Sequence, residues 1–219
     1  MNLDFNAIIR ITQRRIFKHK YVKILTIRIS KQNLFKYKRK IMTKKYIQLA
    51  VLFTFCFTVN VSADYIDGQR AYASGDHENA ILEWTIVAED GNPRAQYNLG
   101  WMHANGKGTP QDFTAAIEWY KKSAEQGNVN AQYNLGNLYL RGQGAAQNNK
   151  LAFSWFMKAA EQGDAPAQYN LGRMYILGKG DDKNFLVARF WIKQALENND
   201  EHIGALAQQL WDDYKLGSY

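Results

Sequence analysis

The sequence predicts an all-α fold, a solenoid of antiparallel helix pairs, from three observations. The hexamer AQYNLG occurs at residues 95–100, 131–136 and 167–172, at a constant offset of 36 residues. Alanine recurs at the same offset in a second stretch of each unit, and a large apolar residue follows it four positions later. Each unit also has a Gly-x-Gly turn between its two helical stretches. A fixed period of this length indicates a repeat protein, in which each helical hairpin buries its apolar side against the next.

The chain begins with a basic extension, residues 1–41, followed by a predicted signal peptide, residues 42–63. Lys44 and Lys45 precede an uncharged, mostly apolar run, and Val61-Ser62-Ala63 puts small residues at the −3 and −1 places of a cleavage site after Ala63. Lysines before the run predict that everything after it lies outside the cytoplasm, in the periplasm or secreted. The alternative is an uncleaved N-terminal membrane anchor, because the run is only slightly shorter than the ~17 to 20 residues that span a bilayer.

Charge separates the basic extension from the rest of the chain. Residues 1–41 carry 12 of the 28 Lys and Arg residues, whereas residues 64–219 hold 14 basic and 19 acidic residues, a net charge of −5. A nucleic-acid-binding arm is one interpretation of the extension. We favour a wrongly assigned start codon, because Met42 begins a well-proportioned signal peptide, and we predict no nucleic-acid partner.

The single cysteine, Cys56, would leave with the predicted signal peptide, so the mature chain would contain no disulfide and no Cys-based metal site.

The organisation of the exported part follows from the period. Residues 64–92 form an opening hairpin with a short turn at Gly75-Asp76, residues 93–128, 129–164 and 165–199 form three repeats, and residues 200–219 form a closing helix and tail. Such closing elements keep repeat stacks soluble. In the closing helix, Ile203, Ala207 and Trp211 face one way.

Helical periodicity assigns the core columns of each repeat. The first helices contribute Ala95, Leu99, Met102, Ala131, Leu135, Leu138, Ala167, Leu171 and Met174. The second helices contribute Ala80, Ala116, Ala152 and Ala188, then Trp84, Tyr120, Phe156 and Ile192, and a neighbouring column of Trp119, Trp155 and Trp191.

Glycine within a helix costs ~1 kcal/mol relative to alanine, so the three glycines of the hexamers predict close helix contact. Asp112, Asn148 and Asn184 are predicted N-caps, and Gly91, Gly127, Gly163 and Asn199 are predicted helix ends.

These columns together resemble the Sel-1-like repeat, a 36-residue relative of the tetratricopeptide repeat, over about residues 93–199. One departure is His103, which stands where the other copies have Tyr139 and Tyr175. The opening hairpin resembles an ordinary tetratricopeptide hairpin. The resemblance implies a right-handed α-solenoid whose first helices line the concave side. It also implies a scaffold that grips peptides or domains of other proteins.

Mapping the groove positions of tetratricopeptide repeats onto the chain predicts a binding surface. It consists of Arg94, Tyr97, Trp101, Asn105, Asn130, Tyr133, Asn137, Arg141, Tyr169, Arg173 and Leu177, with Tyr65, Gln69 and Tyr72 from the opening hairpin. On a helical wheel, Tyr97 and Trp101 fall about 200° and 240° from Ala95, away from the core face. Two interpretations stay open for the three tyrosines of the hexamers: they bind a partner, or they pack between neighbouring first helices. We favour binding for Trp101, Arg141 and Arg173, which vary between copies.

The sequence predicts a protein that is not an enzyme and has no cofactor or metal. His77, His103 and His202 have no metal-ligand spacing, and no Ser-His-Asp or Gly-x-Ser-x-Gly arrangement occurs. Some secreted relatives of the resembled family have been proposed to act on β-lactams, but that branch is rich in disulfide-forming cysteines. Binding of peptidoglycan or another glycan is the alternative to a protein or peptide partner, because Trp, Tyr and Asn also suit sugar rings. A β-lactamase-like or cell-wall hydrolase activity is the third alternative.

Overall fold

The computed structural model describes residues 65–198 and 200–218, which fold into nine α-helices and contain no β-strand. The helices are α1 Tyr65–Ala73, α2 His77–Glu89, α3 Pro93–Asn105, α4 Phe113–Glu125, α5 Val129–Arg141, α6 Asn149–Glu161, α7 Ala165–Leu177, α8 Phe185–Glu197 and α9 Glu201–Asp213. A short 3₁₀ helix, Leu216–Ser218, follows α9. The predicted extension, the predicted signal peptide and Asn199 lie outside the described residues. The all-α prediction is confirmed.

Each helix packs against the next along the chain, so that α1 to α8 form four hairpins stacked in sequence order. Neighbouring first helices also touch, α3 with α5 and α7 with α9, whereas no two second helices of the described part are in comparable contact. The helices of these two pairs therefore lie side by side. This arrangement confirms the predicted solenoid of antiparallel helix pairs.

The predicted core columns are buried. On the first helices, the alanine, leucine and methionine columns lie between 0% and 6% exposed. On the second helices, all four alanines are fully buried, and Trp84, Tyr120, Phe156 and Ile192 are between 0% and 4% exposed. Ile203 and Ala207 of α9 are also buried, and Leu216 of the 3₁₀ helix packs beneath them against α8 and α9. The buried residues form three clusters along the stack, and two half-buried residues connect them: Trp101 packs against the first and second clusters, and Tyr139 against the second and third.

The glycines of the hexamers are sites of close helix contact, as predicted. A Cβ atom added at Gly100 would lie 2.6 Å from the Tyr120 ring, and one at Gly136 would lie 2.8 Å from the Phe156 ring. The opening hairpin has the same contact between Gly68 and the Trp84 ring. Each hairpin closes by seating a large side chain of its second helix on a glycine of its first. Gly68 was not predicted, because the shorter turn places it 32 rather than 36 residues before Gly100.

The Gly-x-Gly turns have a conformational role. The first glycine ends the first helix in the left-handed conformation, for example Gly106 at φ 62°. The second glycine approaches the start of the preceding second helix, and a Cβ atom at Gly108 would lie 2.6 Å from the His77 carbonyl carbon. Loop and helix start are therefore packed against each other between consecutive hairpins.

The predicted caps are present. The side-chain oxygens of Asp112, Asn148 and Asn184 accept hydrogen bonds from backbone N–H groups two or three residues later. Gly91, Gly127 and Gly163 follow second helices at φ values of 97°, 89° and 88°. These capping bonds fix where each 13-residue helix begins and ends.

The prediction of a buried tryptophan column is wrong for two of its three members. Trp155 is 9% exposed, but Trp119 and Trp191 are only half-buried. The column lies one residue before the fully buried aromatic column, and one residue turns a helix by about 100°. The Lys122 Nζ atom lies 4.1 Å from the Trp119 ring centroid, so an ammonium group covers the outer face of this ring.

Candidate functional site: the first-helix face

The predicted binding residues occupy one stripe of the first helices. They stand at helix positions 2, 5, 9 and 13, and these spacings keep their directions within an arc of about 80°. We call this stripe the first-helix face: Arg94, Tyr97, Trp101 and Asn105 on α3, Asn130, Tyr133, Asn137 and Arg141 on α5, and Tyr169, Arg173 and Leu177 on α7. Tyr65 and Gln69 hold the matching positions of α1.

The middle of the first-helix face is half-buried and its ends are exposed. Tyr97, Trp101, Tyr133, Asn137, Tyr169 and Arg173 are half-buried. Arg94, Asn105, Asn130, Arg141 and Leu177 are exposed. The face therefore combines partly desolvated rings with charged and amide groups that are open to solvent.

The tyrosine column packs on the second helices. The ring centroids of Tyr97 and Tyr120 are 5.8 Å apart, and those of Tyr133 and Phe156 are 5.9 Å apart. Burial raises the pKa of the Tyr97 hydroxyl, although a hydrogen bond with Asn134 of the next first helix lowers it. These contacts give the tyrosines a packing role, but the rings of Tyr97 and Tyr133 lie against the second helices of their own hairpins rather than, as predicted, between neighbouring first helices.

Two of the three hexamer asparagines have a role that sequence reasoning missed. Asn98 Nδ2 donates to the Tyr65 hydroxyl over 3.0 Å, which joins α3 to α1. Asn134 Nδ2 donates to the Tyr120 hydroxyl over 3.2 Å, which joins α5 to α4. Burial raises the pKa of Tyr120, the nearby Tyr97 raises it further, and the bond from Asn134 lowers it. The sequence shows only that an asparagine follows the tyrosine in each hexamer, and it does not reveal the partner.

The glutamines of the hexamers were also missed; they are buried and take part in a ladder of hydrogen bonds. Each Nε2 donates to an alanine carbonyl of the preceding second helix: Gln96 to Ala88, Gln132 to Ala124 and Gln168 to Ala160, over 3.0 to 3.3 Å. Two of the three amide oxygens accept a further bond from a glutamine 30 residues later, Gln126 or Gln162, over 2.7 and 2.8 Å.

The third rung of the ladder is incomplete. The matching residue is Asn198, which is one methylene shorter than glutamine, and its Nδ2 donates to the Gly163 carbonyl instead. Gln168 Oε1 is buried and has no hydrogen-bond partner among the described residues. The ladder therefore ends, among the described residues, with an unsatisfied buried acceptor.

An aromatic cleft opens where the first-helix face meets the opening hairpin. It has a volume of about 330 Å³ and is lined by Tyr65, Gln69, Tyr72, Trp84, Tyr97, Asn98 and Trp101. The Trp84 ring stacks on Tyr65 and Tyr72, at centroid distances of 6.1 and 5.8 Å. Trp101 meets Tyr72 edge-on at 6.0 Å. The Trp84 Nε1 atom donates to the Tyr65 carbonyl over 3.2 Å, so ring surface rather than an unpaired N–H group faces the cleft.

The structure brings some predicted site residues together and leaves others apart. Tyr97 and Trp101 meet in the aromatic cleft with the three predicted residues of α1, and Trp84 and Asn98 join them there. The members on α5 and α7 lie outside the cleft. Two amides are partly engaged within their own helices, since Asn105 donates to the Trp101 carbonyl and Asn137 to the Tyr133 carbonyl.

Residues 65–198 and 200–218 present neither a metal-ligand cluster nor a helix that could span a membrane. No group of three or more His, Cys, Asp or Glu residues in this range is placed to hold a metal ion. None of the helices in the same range combines the length and the apolar character needed to cross a membrane.

The sequence model of the Sel1 repeat matches residues 93–128, 129–164 and 165–200. The chain is a Sel1-repeat protein. Among solved structures, it is similar to a Sel1 repeat protein from Oxalobacter formigenes, with 33% identity over 68% of this chain and 61% of that chain and a TM-score of 0.63. A second is c5321, a protective antigen of uropathogenic Escherichia coli that displays an SLR fold, with 31% identity over 58% of this chain and 27% of that chain and a TM-score of 0.57.

This Sel1-repeat protein spans about three fifths of the first of these relatives and about a quarter of the second. No curated protein matches the chain. Sel1 repeats form a scaffold fold that commonly mediates protein–protein interaction and is generally non-catalytic.

Proposed function

We propose that this Sel1-repeat protein is an exported, non-catalytic scaffold that captures a protein partner by holding a peptide segment of it on the first-helix face. The aromatic cleft carries the proposal. Its volume of about 330 Å³ lies at the small end of the ~300 to 1,000 Å³ typical of ligand pockets, so it suits one or two side chains rather than a domain. Tryptophan and tyrosine contribute much of the binding energy at interfaces because they offer a large contact area with few rotamers to order.

Variation along the first-helix face supports the same proposal. Position 9 is Trp101 in the first repeat, Asn137 in the second and Arg173 in the third. The core letters of the hexamer are identical in all three repeats. Contacts between repeats alone would favour the same residue in every copy, so residues that differ between copies are the ones expected to recognise a partner.

The test uses a matched pair of tryptophans. Twelve-residue peptides displayed at random are selected on the full chain, and their affinities are then measured for Trp101→Leu and Trp119→Leu. Both tryptophans are half-buried, but Trp119 lies on a second helix. We expect Trp101→Leu to weaken binding about tenfold or more, the effect of losing ~1.4 kcal/mol or more, and Trp119→Leu to change it less than about twofold. Failure to select any peptide, or equal losses in both variants, would contradict the proposal.

Export is the second part of the proposal, and the arrangement of Lys44, Lys45, the apolar run and Val61-Ser62-Ala63 supports it. N-terminal sequencing of the protein from a periplasmic or culture fraction should begin at Asp64. Recovery of a membrane-bound chain that retains Lys44 would show that residues 42–63 are an uncleaved membrane anchor and not a cleaved signal peptide. Recovery of the chain in the cytoplasm would contradict export.

The absence of catalysis is the third part. The purified chain is expected to hydrolyse neither β-lactams nor cell-wall fragments. Turnover that a single substitution abolishes would overturn this part of the proposal. Co-sedimentation of the chain with purified cell wall, together with failure to select peptides, would favour a glycan ligand instead.

A further inference from the structure

Charge is distributed unevenly between the two kinds of helix. The first helices of the three repeats, α3, α5 and α7, contain three arginines and no Asp or Glu. The second helices, α2, α4, α6 and α8, contain seven acidic and six basic residues. This contrast occurs in a part of the chain whose net charge is −5. The first-helix face is therefore a locally cationic surface on the acidic part of the chain, residues 64–219.

The three arginines all belong to the first-helix face. Arg94 and Arg141 are exposed and Arg173 is half-buried. The ion pairs that the described residues form involve other cations, Arg70, Lys121 and Lys193, and within 65–198 and 200–218 none of the three face arginines is paired with a carboxylate. Their guanidinium groups are available to a ligand from outside the chain.

The surroundings of Arg173 strengthen its attraction for an anion. Tyr169 and Leu177 stand one turn before and one turn after it, and Leu177 is 46% exposed. Apolar neighbours lower the local dielectric constant and leave a half-buried guanidinium group less hydrated. A carboxylate can accept two parallel N–H bonds from arginine, and such charge-assisted pairs are among the stronger hydrogen bonds in proteins.

We propose that the occupant of the first-helix face is an extended acidic peptide segment that carries one bulky apolar side chain as an anchor. This inference rests on the proposed function and names the chemistry of its partner. The anchor enters the aromatic cleft, and carboxylates of the segment pair with Arg141 and Arg173. Packed helices lie ~8 to 10 Å apart, and an extended chain advances ~3.3 Å per residue. The carboxylates should therefore stand about three to six residues from the anchor.

The test uses the peptides selected on the full chain and two double variants with equal changes of charge. Arg141→Glu with Arg173→Glu alters the first-helix face. Lys121→Glu with Lys150→Glu alters exposed positions of the second helices α4 and α6. Residues 1–41 are the same in both variants, so binding through the basic extension would not distinguish them. Affinities are measured by fluorescence anisotropy at ~0.05 M and ~0.5 M salt.

The inference predicts an excess of Asp and Glu three to six residues from an aromatic or large aliphatic residue in the selected peptides. It predicts an affinity loss of about tenfold or more in the arginine variant at low salt, a smaller loss at high salt, and a change below about twofold in the lysine variant. Peptides that require Trp101 but lack acidic residues, or that bind the arginine variant equally well, would overturn the inference and leave the proposed function standing. Failure to select any peptide that requires Trp101 would overturn both. Soluble anionic cell-wall fragments that bind through Arg141 and Arg173, with no acidic peptide bound, would overturn the inference in favour of a glycan.

Discussion

Two regions of the repeats differ in how strictly they follow the period. The seam, which we define as the contact between the two helices of a hairpin, uses the same alanine, leucine and glycine in all three hexamers. The first-helix face changes at positions 9 and 13 in every copy. The seam is dry and close-packed, since a Cβ atom at Gly100 would lie 2.6 Å from the Tyr120 ring. A close-packed contact accepts few different side chains at each position. A face that borders solvent can differ between repeats, and these differences can select a partner.

The largest effect on stability should come from truncating the seam. Phe156 is fully buried, and Phe156→Ala is expected to lower the free energy of unfolding by about 3 to 5 kcal/mol. Phe190 is the matched control, because it is 54% exposed on α8, and Phe190→Ala should cost less than about 1 kcal/mol. Urea unfolding followed by circular dichroism measures both variants. Similar losses at the two positions would show that the seam does not dominate stability.

The second largest effect on stability should come from overpacking the seam. In Gly136→Ala the new methyl group would meet the Phe156 ring at 2.8 Å, and the strain of about 1 to 3 kcal/mol should exceed the ~1 kcal/mol gained in helix propensity. Gly204 of α9 is the control, since a Cβ atom there would have nothing within 4 Å among the described residues. Gly204→Ala should therefore stabilise the chain by up to about 1 kcal/mol in the same urea experiment. Stabilisation by both substitutions would argue against a close contact at Gly136.

Alkaline pH should weaken the seam through Tyr120. Burial raises the pKa of Tyr120 in the folded chain above its ordinary value of about 10, so the unfolded chain loses the proton first. Stability should fall as pH rises above about 10, by about 1 kcal/mol at pH 11 from this residue. Phenylalanine fills the same position at Phe156, so Tyr120→Phe should keep the ring and flatten the pH dependence. Identical slopes between pH 9 and 11 for the two proteins would contradict this account.

Completing the glutamine ladder should raise stability by an amount similar to, or smaller than, the effect expected for Tyr120. Asn198→Gln is expected to supply the missing donor to Gln168 Oε1 and to add about 0.5 to 1.5 kcal/mol, the usual net value of a hydrogen bond. The reverse change, Gln162→Asn, should remove the intact bond to Gln132 and cost a similar amount. Thermal unfolding of both variants provides the check. A lower melting temperature for Asn198→Gln would show that the third rung cannot be closed in this way.

The smallest effect on stability should come from the first-helix face. The double change of Arg141 and Arg173 to glutamate should alter the free energy of unfolding by less than about 0.5 kcal/mol, since neither arginine has an ion-pair partner among the described residues. The same variant should lose peptide affinity about tenfold or more. A large loss of stability would mean that these residues belong to the stack.

The seam could be predicted from the sequence because one helical period and one 36-residue offset determine it. The Ala, Leu and Gly letters of the hexamer were assigned to the core, and they are buried. The Gln and Asn letters were not assigned, because their partners lie 8 to 33 residues away on other helices and the pairs meet only after the helices pack. Trp119 was misplaced because a column one residue from the core can face its edge, where Lys122 covers the ring.

The aromatic cleft could be predicted only in part. Tyr65, Tyr72, Tyr97 and Trp101 were placed on one surface by mapping the groove positions of tetratricopeptide repeats onto the chain. The involvement of Trp84 depends on the shorter turn of the opening hairpin, which seats this side chain on Gly68 beneath the cleft. No spacing rule in the three regular repeats contains that information.

Photo-crosslinking of a selected peptide tests the division between seam and first-helix face most directly. The peptide carries a benzophenone in place of its apolar anchor, and mass spectrometry locates the crosslinked residues on the full chain. The account predicts crosslinks to residues that line the aromatic cleft, such as Tyr72 and Trp101, on α1 and α3. Crosslinks confined to the outer surfaces of α4, α6 or α8 would contradict it.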